Sequence, residues 1–355
     1  MCSLLVSLAF TADLAGSLQD ERELNSVDSL LRTRESPFPF SGSVLIAVDG
    51  KVVFDRVYGD ADYELAVKNT ADTIYRIGSL TKTFTATAAM ALVEKGQLSL
   101  EDPICRYVHQ CPPAWSSVRV KHLLSHTSGI PDLFNAVPAA PLNGTVDAID
   151  KAIQSASKVE LDSTPGSHFA YRNFNYMLVG YILEAVTKQG LVDVLQSTVL
   201  RSAGTTQTGY DDVWAIVNGR ARGYDVKEGR MRNVEYKDYS AYAAGGLLST
   251  VHDLYAFQQA LWNGRILQPA TLAEMLTPRQ GDYGYGWQIK HYFGRTMYNH
   301  SGGTYGFASH LAVYPDERLV IVVLSNIESE PAKLTACKIA GLLITHREVT
   351  SCSEN

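Results

Sequence analysis

The stretch Tyr75-Arg76-Ile77-Gly78-Ser79-Leu80-Thr81-Lys82 and the apolar run that follows it, Thr83 to Val93, constrain this fold more than any other part of the chain. An extended Ile-Tyr-Arg-Ile segment breaks at Gly78. From Phe84 to Val93 apolar residues occupy every face of a helical wheel, as in a helix buried on all sides. Ser79 therefore falls at a strand-to-helix junction, where a serine can cap the helix and its hydroxyl lies in the positive field of the helix N-terminus. Lys82, three residues on, stacks beside that hydroxyl. Apolar surroundings desolvate its amine and lower its pKa towards that of a usable base. A serine and a lysine so placed form an activated nucleophile.

Ser-x-x-Lys is a weak pattern, and it occurs twice. The second copy, Ser155 to Lys158, ends a polar helical segment with no buried helix behind it and reads as surface. Taken alone, Ser79 better suits a plain N-cap with a snorkelling lysine. Other stretches decide between these readings.

The 355 residues can bury a large core in one big domain or two intermixed ones. A net charge of −6 without any long basic run leaves no footprint for nucleic acid or anionic membrane. No transmembrane segment is expected, since no apolar run approaches spanning length. Leu4 to Phe10 is apolar and small residues follow to Ser17, so residues 1–18 suggest a truncated signal segment and an exported protein, although no Lys or Arg precedes them. Apart from Cys2, four cysteines allow three pairings. The near-neighbour pairing, Cys105 with Cys111 and Cys337 with Cys352, is the simplest, with four free thiols as the alternative. Neither pair has metal-ligand spacing.

Along the chain, residues 20–34 carry Leu24, Val27, Leu30 and Leu31 at helical spacing. A hairpin follows, Ser43 to Val48 and Lys51 to Tyr58, turning at Asp49-Gly50. Val118 to Ser125 reads as a short helix, and His126-Thr127-Ser128-Gly129 as a turn whose side chains bond the backbone. Residues 135–167 read as surface loop and helix, Met177 to Val186 as a helix, and residues 204–244 as long loops over a pocket. Thr250 with Asp253 predicts a capped helix. Two strands follow, His310 to Tyr314 and Leu319 to Leu324, and a last helix spans about 332–346. Strands at both ends and helices between them predict an α+β fold: one antiparallel sheet built from both termini, flanked by helices, with a mostly helical insertion. Residues 19–105 and 245–355 would form the sheet domain and 106–244 the insertion, with the cleft between them.

With Ser79-Leu80-Thr81-Lys82, Tyr171-Arg172-Asn173 and His300-Ser301-Gly302 in that order, the chain resembles the penicillin-recognising serine enzymes. It is most similar to their low-molecular-mass D,D-peptidase, class C β-lactamase-like and esterase branch. The likeness covers roughly residues 40–345 and includes the HTSGIPD turn, AAGGLLST and HSGGTYGF. It implies a β-lactamase/transpeptidase-like fold and an acyl-enzyme on Ser79, with Lys82 or Tyr171 taking the serine proton. Asn173 would hold Lys82 and the substrate amide, and the backbone N–H groups of Ser79 and Gly303 would form the oxyanion hole. Gly302 would leave room for substrate along the strand edge. His300 would face the cleft and orient substrate or tyrosine, with Ser301 beside it in the substrate-binding set.

The third motif is His-Ser-Gly where β-lactamases usually carry Lys-Thr-Gly, which favours peptidase or esterase relatives. Arg172 replaces a small residue, facing solvent or supplying a carboxylate contact. The sequence holds no Gly-x-Ser-x-Gly elbow and no His-Glu-x-x-His. The expected activity is a serine hydrolase cleaving an ester or peptide amide without metal or organic cofactor, acting on a small-molecule or peptide substrate. A β-lactamase, or a non-catalytic protein that binds cell-wall peptide, is the alternative.

Overall fold

The computed structural model describes residues 21–33, 38–138, 140–212, 214–234, 241–329, 331–349 and 352. The apolar Leu4–Phe10 segment lies outside them. Helix α1, Glu21–Arg32, buries Val27 and Leu31, with Glu21 and Glu23 in its first turn and Arg32 in its last, as the helix dipole favours. The Asp49-Gly50 dipeptide adopts positive φ at both residues (53° and 75°), the tight turn that a twisted hairpin needs. It joins β1, Gly42–Val48, to β2, Lys51–Tyr58.

A short strand β3, Tyr75–Arg76, leads through a turn into α2, Thr81–Glu94. Then come α3, Val120–Leu124, α4, Thr145–Ser155, and α5, Asn173–Thr187. The loop-rich stretch beyond contains β4, Gly209–Tyr210, and a hairpin of β5, Tyr224–Lys227, and β6, Arg230–Asn233. Next are β7, Leu247–Ser249, α6, Val251–Trp262, and α7, Pro269–Leu276. The chain closes with β8, Gln288–Tyr292, β9, Arg295–Thr304, β10, Phe307–Tyr314, β11, Leu319–Ser325, and α8, Ala332–Thr345.

The main sheet runs β8-β9-β10-β11-β1-β2 with every pairing antiparallel, so both ends of the chain meet in it. In the β1–β11 pair Val44 lies opposite Val323 and Leu45 opposite Val322. Alternation sends Val44, Ile46, Ile321 and Val323 to the face covered by α1 and α8. Leu45, Ala47, Val322 and Leu324 face α2 and α6, where Phe84 stacks on Phe257 with ring centroids 3.9 Å apart. This is the expected α+β sheet with helices on its faces.

Helix α2 is buried from Thr81 to Leu92. Its threonine hydroxyls bond backbone carbonyls (Thr83 to Leu80, Thr87 to Thr83, Thr85 to Ala243), so burial leaves them satisfied. Thr250 caps α6 by accepting the Asp253 N–H at 3.2 Å. The Asp253 carboxylate accepts in turn from the N–H groups of Gln207 (2.7 Å) and Thr208 (2.6 Å), fixing the segment ahead of β4. Cys105 is bridged to Cys111 and Cys337 to Cys352. Ser155 and Lys158 are exposed at the end of α4.

Candidate active site

The site forms where α2 meets the main sheet. Gly78–Leu80 make a single 3-10 turn that runs into α2, so Ser79 lies inside helical backbone rather than at its cap. The expected side-chain cap is therefore absent, and the Ser79 hydroxyl engages the site. The N–H of a residue in such a first turn has no intrahelical acceptor. Gly78 has φ of 49°, and a Cβ there would lie 2.9 Å from the Gly303 nitrogen, so only glycine lets turn and strand approach.

Lys82 is wholly buried and is the only charged side chain among the buried residues of α2. Its Nζ lies 3.0 Å from Ser79 Oγ, 2.8 Å from Asn173 Oδ1 and 2.7 Å from the Ala244 carbonyl oxygen. Burial lowers its pKa to about 7, with the charge of Asp132 opposing the shift. As a free amine it can donate to Asn173 and Ala244 while accepting the Ser79 proton.

Tyr171 lies across the amine, its ring centroid 4.9 Å from Lys82 Nζ. Its hydroxyl faces Ser79, and the burial of that end of the side chain raises its pKa well above the ordinary phenol value. Tyr171 is thus a neutral phenol beside Ser79, whereas Lys82 loses its proton near neutrality.

Asn173 is the first residue of α5, whose N-terminus is capped by Asp132: its Oδ1 accepts the Phe174 N–H at 3.0 Å. Neither Asp132 nor the Ala244 carbonyl stood out as a local pattern, although both fall in the longer shared stretches. Arg172 pairs with Asp162 at 2.5 Å, so its carboxylate contact is with the protein itself.

The His-Ser-Gly motif divides across the sheet. Strand β8 pairs with β9 only as far as Gln288 opposite Asn299. Residues beyond Asn299 therefore carry an edge that β8 does not cover. Gly302 was expected to make room for substrate, but its missing side chain makes room for the chain itself: a Cβ there would sit 1.9 Å from the Ile77 carbonyl oxygen. Ser309 Oγ donates to the same carbonyl at 2.7 Å. The open position is Gly303, where an added Cβ meets nothing within 4 Å.

His300, expected to face the cleft, is buried behind Tyr171, with ring centroids 6.2 Å apart. Its Nδ1 donates to the Ser301 carbonyl at 2.7 Å, so its Nε2 accepts from the Tyr283 hydroxyl at 2.9 Å. Burial and the Lys82 charge push its pKa down to about 3, so it is neutral. Ser301, expected in the substrate-binding set, pairs across the ladder with His310 and contacts its Nδ1 at 2.8 Å. Strand alternation turns it away from Ser79, towards the α8 side.

His126 was expected to be a simple turn residue. The turn is real, with φ of 56°, but the imidazole is buried against Tyr171, with ring centroids 4.4 Å apart. Its local sequence gives no signal for this, because the packing partner is far along the chain.

Ser79 opens onto a cleft of about 250 Å³ lined also by Arg76, Asn173, Tyr210, Asp211, Gly303, Tyr305 and Glu328. Tyr210 and Asp211 place part of the loop-rich stretch over the pocket, as expected. Asp211 is buried and paired with Arg76 at 2.5 Å and Arg220 at 2.8 Å. No group of His, Cys, Asp and Glu able to hold a metal ion occurs among the described residues.

The family model described as Beta-lactamase matches residues 35–345, and the chain belongs to that family. Together with its relatives this makes the protein one of the serine hydrolase superfamily. The chain is 27% identical over 335 residues to Penicillin-binding protein 4* of Bacillus subtilis (strain 168), covering 86% of this chain and 72% of that protein. The crystal structure of a penicillin binding protein from Bacillus halodurans is similar with a TM-score of 0.77 and 26% identity, over 90% of this chain and 98% of that one. An octameric penicillin-binding protein homologue from Pyrococcus abyssi gives 0.78 and 28%, over 92% and 78%.

Proposed function

We propose that the protein cleaves an ester or a D-amino-acid peptide amide through an acyl-enzyme on Ser79. The observation that carries this reading is the buried Lys82 amine, 3.0 Å from Ser79 Oγ and with its pKa lowered to about 7. Lys82 is the general base: it accepts the Ser79 proton as Oγ attacks the carbonyl. Tyr171, the neutral phenol on the other side of Oγ, is the acid that protonates the leaving group, and Lys82 returns the proton to it. Backbone N–H groups of Ser79 and Gly303, residues that both line the cleft, hold the oxyanion. Asn173, its carbonyl already taken by Lys82, turns its amide N–H₂ to substrate. Water then releases the acyl group.

A neutral His300 gives a β-lactam carboxylate no cation where Lys-Thr-Gly would, so esters and peptides are favoured over β-lactams. A purely binding protein would have no use for an amine desolvated beside a serine, since burying it costs stability. The two disulfides support export to an oxidising compartment.

The test is turnover of p-nitrophenyl butyrate, with intact-protein mass recorded during incubation with a penicillin, for wild type and Ser79→Ala. Serine-dependent turnover, or a serine-dependent adduct, is expected. Equal esterase rates in both proteins and no adduct on either would remove the enzymatic reading.

A further inference from the structure

Tyr171 belongs to no helix or strand, and 38% of it is exposed, yet its hydroxyl must be held against Ser79. Three of the contacts that fix this segment converge on one residue. The Ala170 N–H donates to the His126 carbonyl at 2.9 Å, and the Arg172 N–H to His126 Nδ1 at 3.2 Å. Between these two bonds the Tyr171 ring lies on the imidazole, with centroids 4.4 Å apart. The residues before, at and after position 171 are thus all held by His126.

The imidazole is fixed in its turn. A backbone N–H can only donate, so Nδ1 is the acceptor and the ring proton sits on Nε2. Nε2 is buried without a hydrogen-bond partner among the described residues, and the rings of Tyr176 and Tyr283 pack around the imidazole at 5.0 Å and 4.9 Å. The left-handed backbone at position 126 brings carbonyl and ring to bear on the same three residues.

We propose that His126 is the positioning residue for Tyr171, acting on leaving-group protonation through the Arg172 N–H···Nδ1 bond and the ring stack. The inference rests on the acyl-enzyme reading above. It requires loss of His126 to mimic loss of the Tyr171 hydroxyl, reaction by reaction. An activated p-nitrophenyl ester expels a stable anion and needs little proton donation. An alkyl ester or a peptide amide needs it fully.

The experiment compares kcat and KM for a p-nitrophenyl ester and the matching alkyl ester or amide in wild type, Tyr171→Phe, His126→Leu, His126→Asn and the double variant His126→Leu/Tyr171→Phe. All are checked for folding by thermal melting. His126→Leu is expected to lose roughly 10²-fold in kcat on the poor leaving group, with far less effect on the activated ester and KM little changed. The double variant is expected to be no slower than Tyr171→Phe alone. His126→Asn keeps an acceptor at the δ1 position and tolerates left-handed backbone, so it is expected to recover most of the loss. Equal losses on both substrates, an additive double variant, or Asn no better than Leu would each overturn the proposal. If wild type shows no Ser79-dependent turnover, the acyl-enzyme reading is what fails. Crystal structures of the Leu and Asn variants then decide the positioning claim: Tyr171 unmoved in His126→Leu overturns it, and Tyr171 displaced in Leu but restored in Asn supports it.

Discussion

Lys82 has three polar contacts and no exposed surface, so its proton is governed by burial rather than by solvent. Its amine form is the one that can accept from Ser79, and that form predominates only above its pKa of about 7. Acylation should therefore rise with pH through about 7 and level off above it, and a pH profile of kcat/KM on a neutral ester reads this directly. Tyr171 titrates above the ordinary phenol range, so no ionised tyrosine is available to act as base near neutrality. Lys82→Ala should keep the fold while losing acylation by about 10²–10⁴-fold, read as the rate of adduct formation on Ser79. Sequence made Ser79 and Lys82 legible because three residues on a helix fix their relation. The roles of Tyr171, His126 and Ala244 are tertiary. His126 is locally a turn, and nothing within the turn points to a tyrosine that packs on it from the segment ahead of another helix.

At the scale of elements, the approach of the Gly78–Leu80 turn to β9 sets the mouth of the cleft, and two adjacent glycines divide the work. Gly302→Ala would thrust a methyl into the Ile77 carbonyl and Ser309 Oγ, forcing strand and turn apart. It should cost about 1–3 kcal/mol, as overpacking does, and depress activity on every substrate. Gly303→Ala meets open space on the face that Ser301 shares, and should leave both the melting temperature and kcat/KM close to wild type. Thermal unfolding of the pair separates these outcomes. The hairpin at Asp49-Gly50, the capped helix at Thr250 and the buried helix after Ser79 were all legible, because each is set by residues close in sequence. Which neighbour of the His-Ser-Gly motif faces the cleft was not. That depends on strand register and on where β8 ends, and both are properties of the partner strands.

At the scale of the whole molecule, the loop of six residues' separation closed by Cys105 and Cys111 should contribute about 2 kcal/mol, and the longer Cys337–Cys352 loop, of separation 15, about 3 kcal/mol. Thiol labelling of denatured, unreduced protein should modify Cys2 alone, and reduction should lower the melting temperature. Labelling of Cys105 and Cys111 would refute their bridge. The α+β arrangement could be foreseen from strands clustered at both ends of the chain, since strands must pair and only one sheet can use both sets. The order β8-β9-β10-β11-β1-β2 could not, because it is decided by which edges remain open once the helices have packed.

That order also determines when folding can finish. Strand β1 lies between β2 and β11, so one of the first strands to leave the ribosome waits for one of the last. A hairpin of β1 and β2 alone is marginal in water, and the face that α1 begins to cover is not closed until α8, which follows β11, has been made. The nascent chain therefore carries an unpaired hydrophobic strand edge through nearly the whole of its synthesis. A chaperone that shields residues 42–58 during translation should raise the yield of native protein, and a stop codon placed before β11 should give aggregate rather than a stable fragment.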